Sequence, residues 1–285
     1  MESPCTSSVF TTMASSAVAA DYPLRSVSTS WKDHLKSFVS VITSETIVEP
    51  TQPLTVDQLI RQRSKEEPSH AIVSYPSSGI EYVNYTYRQL DIFAARVAQK
   101  YAIVIPQRTS SLDPERVVGL LGLSNFDYLI SILALTKLGH TVLFLSTRIS
   151  VTAHTSLLQT TGANHILVDQ GFRDTISQVK EGLPNIEVHD IISSKTYHFA
   201  IANQDFHTQF DSQYDPEVES SKIAWIIHSS GSTGLPKPIF QTHRAALSNY
   251  ASNLNLRGFI TLSLTLTLLN IQCNKRLKYV RIYRC

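Results

Sequence analysis

One short run of this chain gathers the residue types that hold anions. His228-Ser229-Ser230-Gly231-Ser232-Thr233-Gly234-Leu235-Pro236-Lys237-Pro238 packs four hydroxyls, two glycines and a lysine into positions 229–237. Glycines let the backbone turn so that successive N–H groups converge on one concavity, a nest for an anion. Ser229, Ser230, Ser232 and Thr233 add hydroxyl donors for phosphate oxygens. Lys237 adds a point positive charge, and Pro236 stiffens the backbone just before it. The combination suits a triphosphate tail.

The spacing excludes two familiar phosphate loops. A Walker A loop needs G-x-x-x-x-G-K followed by Ser or Thr. Here Gly231 and Gly234 are three apart, and Lys237 lies three beyond Gly234 and is followed by proline. The dinucleotide fingerprint G-x-G-x-x-G does not occur. A plain Ser/Gly linker is the bland alternative, but a linker does not usually abut a buried strand or end in a proline-fixed lysine. The apolar run Ile223-Ala224-Trp225-Ile226-Ile227 immediately before the loop reads as such a strand.

The elements that must position the loop follow from periodicity. Thr55-x-x-Gln58 and Thr86-x-x-Gln89 have the form of capping boxes, each opening a helix. Behind the second, Leu90, Phe93, Ala94, Val97, Ala98 and Tyr101 make an apolar helical stripe. Residues 71–73 and 82–85 read as strands around a Pro76/Gly79 turn. Residues 116–121 form a buried strand. Ser124-x-x-Asp127 opens the next helix, with Phe126, Leu129, Ile130, Leu133 and Leu138 inside and Gly139 at its end. A strand over Thr141–Leu145, a helix over Val151–Thr161 stopped by Gly162, a strand over 165–169, a helix over 173–181 and a strand over 186–192 follow. Residues 193–220 carry few large aliphatics and read as a linker over the surface. Alternating βαβα segments with near-continuous apolar strands predict an α/β fold, a mostly parallel sheet covered by helices on both faces.

Composition narrows the class. In 285 residues, 42% are hydrophobic and 17% charged, which supports a sizeable core and excludes a disordered chain. A net charge of +2 gives no footprint for nucleic acid. The longest apolar region, 117–145, is broken by Asn125, Asp127, Lys137 and His140, so no membrane span is expected. Cys5, Cys273 and Cys285 form no disulfide framework and no CxxC pair, which favours a reducing, cytoplasmic setting. The histidines show no H-x-x-x-H spacing and no cysteine partner, so no metal site is expected. His228 could line the nucleotide or substrate side of the loop, or be a satisfied strand-end histidine. His243 reads as structural, and Trp225 as core.

Residues 226–237 resemble the phosphate-binding signature of the adenylate-forming superfamily, which includes acyl-CoA synthetases, luciferases and the adenylation domains of nonribosomal peptide synthetases. Tyr85-Thr86-Tyr87-Arg88-Gln89-Leu90 is similar to the family's "TYxEL" helix start, residues 118–145 to its paired "NSPEF … LKAG … PL" segments, and Thr242-His243-Arg244 to its Thr-His-Arg/Lys sequence. The resemblance covers about residues 50–262 and is weaker before 80. Pro238 departs from the glycine usual there. The HSSGSTGLPKP wording is nearest to fungal synthetase-like and aminoadipate-reductase-like adenylation domains. The resemblance implies ATP-dependent activation of a carboxylic acid: the carboxylate attacks the α-phosphorus, giving an acyl-adenylate and pyrophosphate. Coenzyme A or the pantetheine of a carrier protein then takes the acyl group. Ser229, Ser230, Gly231, Ser232, Thr233 and Gly234 would cradle the β- and γ-phosphates, with Lys237 balancing the departing charge and His228 beside them. Mg²⁺ is implied as the ATP counter-ion.

Three regions are expected. Residues 1–50, rich in Ser, Thr and Ala, form a variable extension with a short amphipathic piece near 31–41 and no secretory or mitochondrial signal. Residues 51–262 form part of the adenylation N-terminal domain. Residues 263–285 diverge: Ile260, Leu262, Leu264, Leu266 and Leu268 alternate with Thr or Ser. From Phe259 onward the charges are Lys275, Arg276, Lys278, Arg281 and Arg284, with no acid, leaving about −3 for residues 1–258. This tail resembles nothing in the family and reads as aberrant coding sequence. The acyl pocket, the adenine segments and the C-terminal domain with the family's catalytic lysine are not matched in the chain. No catalytic residue is therefore assigned. A truncated product that binds nucleotide weakly, or not at all, is the alternative reading.

Overall fold

A computed structural model describes residues 52–76, 81–201, 214–229 and 234–251. The expectations for 1–50, for Gly79 and for the tail 263–285 lie outside these residues.

The described chain runs α1 (Val56–Glu66), β1 (Ala71–Pro76), β2 (Tyr82–Thr86), α2 (Tyr87–Val104), β3 (Val117–Leu121), α3 (Phe126–Lys137), β4 (Thr141–Leu145), α4 (Val151–Thr161), β5 (His165–Val168), α5 (Arg173–Gly182), β6 (Glu187–Asp190), α6 (Pro216–Ser220), β7 (Ile223–Ser229), β8 (Lys237–Thr242) and α7 (His243–Ala251). β1 and β2 form an antiparallel pair, and the other six strands form one sheet in the order β6-β5-β3-β4-β7-β8. Five of the six are parallel, and β8 returns antiparallel beside β7. This is the α/β fold the alternation predicts.

Side-chain alternation divides the core between the two sheet faces. Val118, Leu120, Val142, Phe144, Leu167 and Trp225 face α1–α3 and the β1–β2 pair. Leu121, Leu143, Leu145, Ile166, Val168 and Ile226 face Leu157 and Leu158 of α4 and Ile176 and Val179 of α5. A sheet apolar on both faces must have helices on both, because neither face can be left to water.

Local signals differ from expectation in three places. Thr86 makes the full reciprocal capping box with Gln89. At α1, Thr55 caps Gln58 N, but the Gln58 side chain accepts from Leu54 N, one residue further back. α3 is capped by Asn125, whose side chain accepts from Tyr128 N, and not by Ser124. Asn and Ser cap about equally well, so position decides, and Asn125 stands directly before the first helical residue, Phe126. The third difference is in 193–201 and 214–220, the described parts of the expected linker, which do not simply lie on the surface. Tyr197 is fully buried and donates its hydroxyl hydrogen bond to Asp127. Arg96 donates to the carbonyls of Tyr197 and Phe199 at 2.8 and 3.0 Å, and α6 buries Glu219 and Ser220. One tyrosine and two polar anchors hold this segment where aliphatic content gives no warning.

Candidate functional site

The candidate segment is flanked by two paired strands. β7 and β8 pair antiparallel with Ser229 opposite Lys237, His228 opposite Pro238 and Ile227 opposite Ile239. Ser229 and Lys237 therefore stand together at the carboxyl end of β7, the end of a parallel sheet at which α/β folds open to ligands. Ser230, Gly231, Ser232 and Thr233 lie outside the described residues. The two flanks are described. Gly234 has φ +92°, a conformation that favours glycine, and a Cβ added there would meet nothing within 4 Å. Pro236 is buried and Lys237 beside it is exposed, so the ring anchors the backbone while the ammonium reaches solvent. An open left-handed glycine and an exposed lysine thus stand just before and at the start of β8.

The base of this strand pair is locked at the opposite end of the sheet. His243 N donates to the Lys222 carbonyl at 3.0 Å, and Thr141 Oγ1 donates to the Ile223 carbonyl at 2.7 Å. His243 is buried, and its Nδ1 accepts from Val56 N at 3.3 Å, tying α7 to the start of α1. Burial pushes its pKa down to about 4, so the ring stays neutral and remains an acceptor. This supports the structural reading of His243. Trp225 is fully buried, and its Nε1 donates to Gln241 Oε1 at 2.6 Å, fixing β8 against β7.

A buried arginine sets where β7 begins. Arg108 grips Glu219 with two hydrogen bonds of 2.7 and 2.8 Å and donates to the Gly139 carbonyl at 2.6 Å. Its guanidinium lies over the Tyr214 ring, 4.7 Å from the centroid. Burial would raise the Glu219 carboxyl, but Arg108 and Lys222 outweigh it and hold it below the usual carboxylate range. α6 is thereby clamped to the α3–β4 turn, and β7 starts in register with β4.

His228 is half-buried in β7, with an Nδ1 that has no hydrogen-bond partner. Burial lowers its pKa, so it is neutral at pH 7. His154, in the first turn of α4, was not singled out by spacing. It is buried, its Nδ1 is also unpartnered, and burial and then nearby His228 push its pKa down to about 4. The pairing is invisible in sequence because α4 and β7 meet only through the fold.

Among the described residues, one group of acidic and imidazole side chains could hold a metal: His165, Glu187 and His189, on β5 and β6 at the far edge of the sheet. Helical spacing does not reveal it, but the Glu-x-His of a strand does, since residues two apart share a face. Burial lowers both histidine pKa values. No helix among the described residues is long and apolar enough to cross a membrane.

Residues 60–268 match the AMP-binding enzyme family. The chain belongs to that family. The chain is 30% identical over 192 residues to a carboxylic acid reductase of Neurospora crassa, a match that covers 64% of this chain and 17% of the relative. It is 36% identical over 140 residues to an adenylate-forming reductase of Aspergillus terreus, covering 45% of this chain and 12% of the relative. The match to each therefore spans less than a fifth of the relative's length. Among solved structures, the N-terminal domain of FACL13 from Mycobacterium tuberculosis superposes with a TM-score of 0.54 at 20% identity, covering 76% of this chain and 55% of that one. An anthranilate CoA ligase in complex with anthranoyl-AMP superposes with a TM-score of 0.55 at 20% identity, covering 72% and 37%. The fold is that of adenylate-forming enzymes.

Proposed function

We propose that this chain carries the phosphate-binding part of an enzyme that uses ATP to activate a carboxylic acid. The observation that carries the reading is the pairing of the flanking strands: Ser229 stands opposite Lys237 at the carboxyl end of β7. ATP would supply the phosphoanhydride bond whose cleavage drives the activation. Ser229, Ser230, Gly231, Ser232, Thr233 and Gly234 would offer amides and hydroxyls to the β- and γ-phosphates. Lys237 would balance charge gathering on the leaving pyrophosphate. His228, neutral and half-buried just before Ser229, would line the floor of the loop. The fungal reductase relatives support an acid of the reductase type, with the thiol of a carrier domain or coenzyme A as acceptor. Mg²⁺ would accompany ATP, and none of the residues named here is assigned to it. The proposed adenylation region is 51–262.

Calorimetric titration of the full chain with tripolyphosphate, ATP and adenosine tests this. One lost charge-assisted hydrogen bond is worth about 1.5–3 kcal/mol. Lys237→Ala should therefore weaken tripolyphosphate and ATP by about 10–100-fold, with adenosine unchanged. Equal affinities in parent and variant would overturn the loop assignment. ATP–pyrophosphate exchange with a panel of acids then separates the two readings. Exchange above background means the chain activates the acid itself, and binding without exchange means it holds nucleotide without turnover.

A further inference from the structure

The edge pair β5–β6 carries three donors aimed at one point. His165 is the cross-strand partner of Glu187, and His189 lies two residues beyond Glu187 on the same strand. Cross-strand partners and i,i+2 neighbours share a face, so all three side chains emerge on one side of the sheet. Glu187 Oε2 stands 3.7 Å from His165 Nδ1 and 3.8 Å from His189 Nε2. The two rings are stacked with centroids 5.8 Å apart, and one donor atom from each of the three residues lies within 4.8 Å of the others. Neither distance is a hydrogen bond. His165 is only 2% exposed, yet its Nδ1 has no hydrogen-bond partner, and the buried Nε2 of His189 has none either. Buried polar atoms without partners are rare, and these two face the same carboxylate.

We propose that His165, Glu187 and His189 bind a divalent transition-metal ion of the zinc class, clasping β6 to β5. Metal–ligand bonds of about 2.0–2.2 Å in a tetrahedral site place neighbouring ligand atoms roughly 3.3–3.6 Å apart, close to the 3.7 and 3.8 Å from Glu187 to the two histidines, whose own ligand atoms lie within 4.8 Å. Two imidazoles and one carboxylate suit Zn²⁺, Co²⁺ or Ni²⁺ rather than Ca²⁺ or Mg²⁺, which prefer all-oxygen shells. Arg116 lies near enough to His165 to oppose a cation. Affinity must therefore come from the imidazole and carboxylate bonds and not from the surrounding charge. The Glu187 side chain is 60% exposed, so the ion reaches the site from solvent and a water completes its shell. The site lies at the amino ends of β5 and β6, with β5, β3 and β4 between β6 and β7. It is therefore independent of the nucleotide reading.

The test uses the full chain, stripped with chelator, then titrated with Zn²⁺ by calorimetry and with Co²⁺ by visible absorption. Glu187→Gln and His189→Ala are the variants, because both side chains reach solvent and their loss spares the core. The expected result is one ion per chain with Kd below about 10 μM, tetrahedral Co²⁺ bands, and at least a ten-fold loss of affinity in each variant. Zn²⁺ should also raise the melting temperature of the parent and not of the variants. No binding below about 100 μM would overturn the proposal. So would binding that survives both substitutions, since other histidines or the cysteines would then be the ligands.

Discussion

Lys137 carries a charge into the space between three helices. Its side chain is 3% exposed, and its ammonium donates to Asp57 at 2.7 Å and to Asp91 at 2.6 Å, while Arg61 holds the other oxygen of Asp57. Burial would raise the Asp57 carboxyl and lower the lysine. The mutual charges outweigh burial, so Asp57 is held low and Lys137 high. Removing the lysine takes a shared ammonium from two buried carboxylates and leaves Arg61 as the cation on Asp57. Lys137→Met is expected to destabilise the fold by about 3–5 kcal/mol, read from urea denaturation. A loss below 1 kcal/mol would show that Arg61 and solvent compensate. The sequence placed Lys137 at the end of a helix, but nothing in it tied that position to Asp57 or Asp91. Such a triad exists only once α1, α2 and α3 are assembled. The candidate loop residues 229–237 were legible for the opposite reason: they are contiguous in the sequence.

At the scale of elements, the two helix-ending glycines give a matched comparison. Gly139 and Gly162 share nearly the same left-handed backbone, φ +70° and +68°. A Cβ on Gly162 would meet nothing within 4 Å, whereas one on Gly139 would lie 2.5 Å from Arg108 Nη1 and 2.8 Å from Tyr214. Gly162→Ala should cost only the backbone term, about 1–2 kcal/mol. Gly139→Ala should cost clearly more, because the guanidinium it would displace is pinned to Glu219. Equal denaturation midpoints for the two variants would show that the Arg108 clamp yields. Both glycines were readable as helix stops from sequence, as were the strands from β3 to β7 and the Thr86 capping box. The α3 cap was misplaced by one residue because Ser124 and Asn125 are both competent caps. Choosing between them depends on where Phe126 must turn inward. Tyr197 was missed because the aromatics of 193–220 follow neither a strand nor a helix period that would mark one of them as buried.

For the molecule as a whole, neutral histidines set the acid limit. His140, His154 and His243 are all buried, and burial pushes each pKa down to about 4 from an ordinary 6.5. Between those values the unfolded chain binds protons that the folded chain refuses. Stability therefore rises with pH across this window, is full above about pH 6.5, and drains as pH falls toward 4. Thermal melts from pH 7.5 to 4 should show the midpoint falling steadily below pH 6.5. A flat profile would mean these rings find proton acceptors on charging. Sheet order adds a further consequence. β3 to β6 assemble from residues 117–190, but β7 must come back to lie beside β4. On a ribosome, the outer rim of β4 would thus stay bare until residues 223–229 emerged, an interval in which a chaperone, or a strand from a neighbouring nascent chain, could claim that seat.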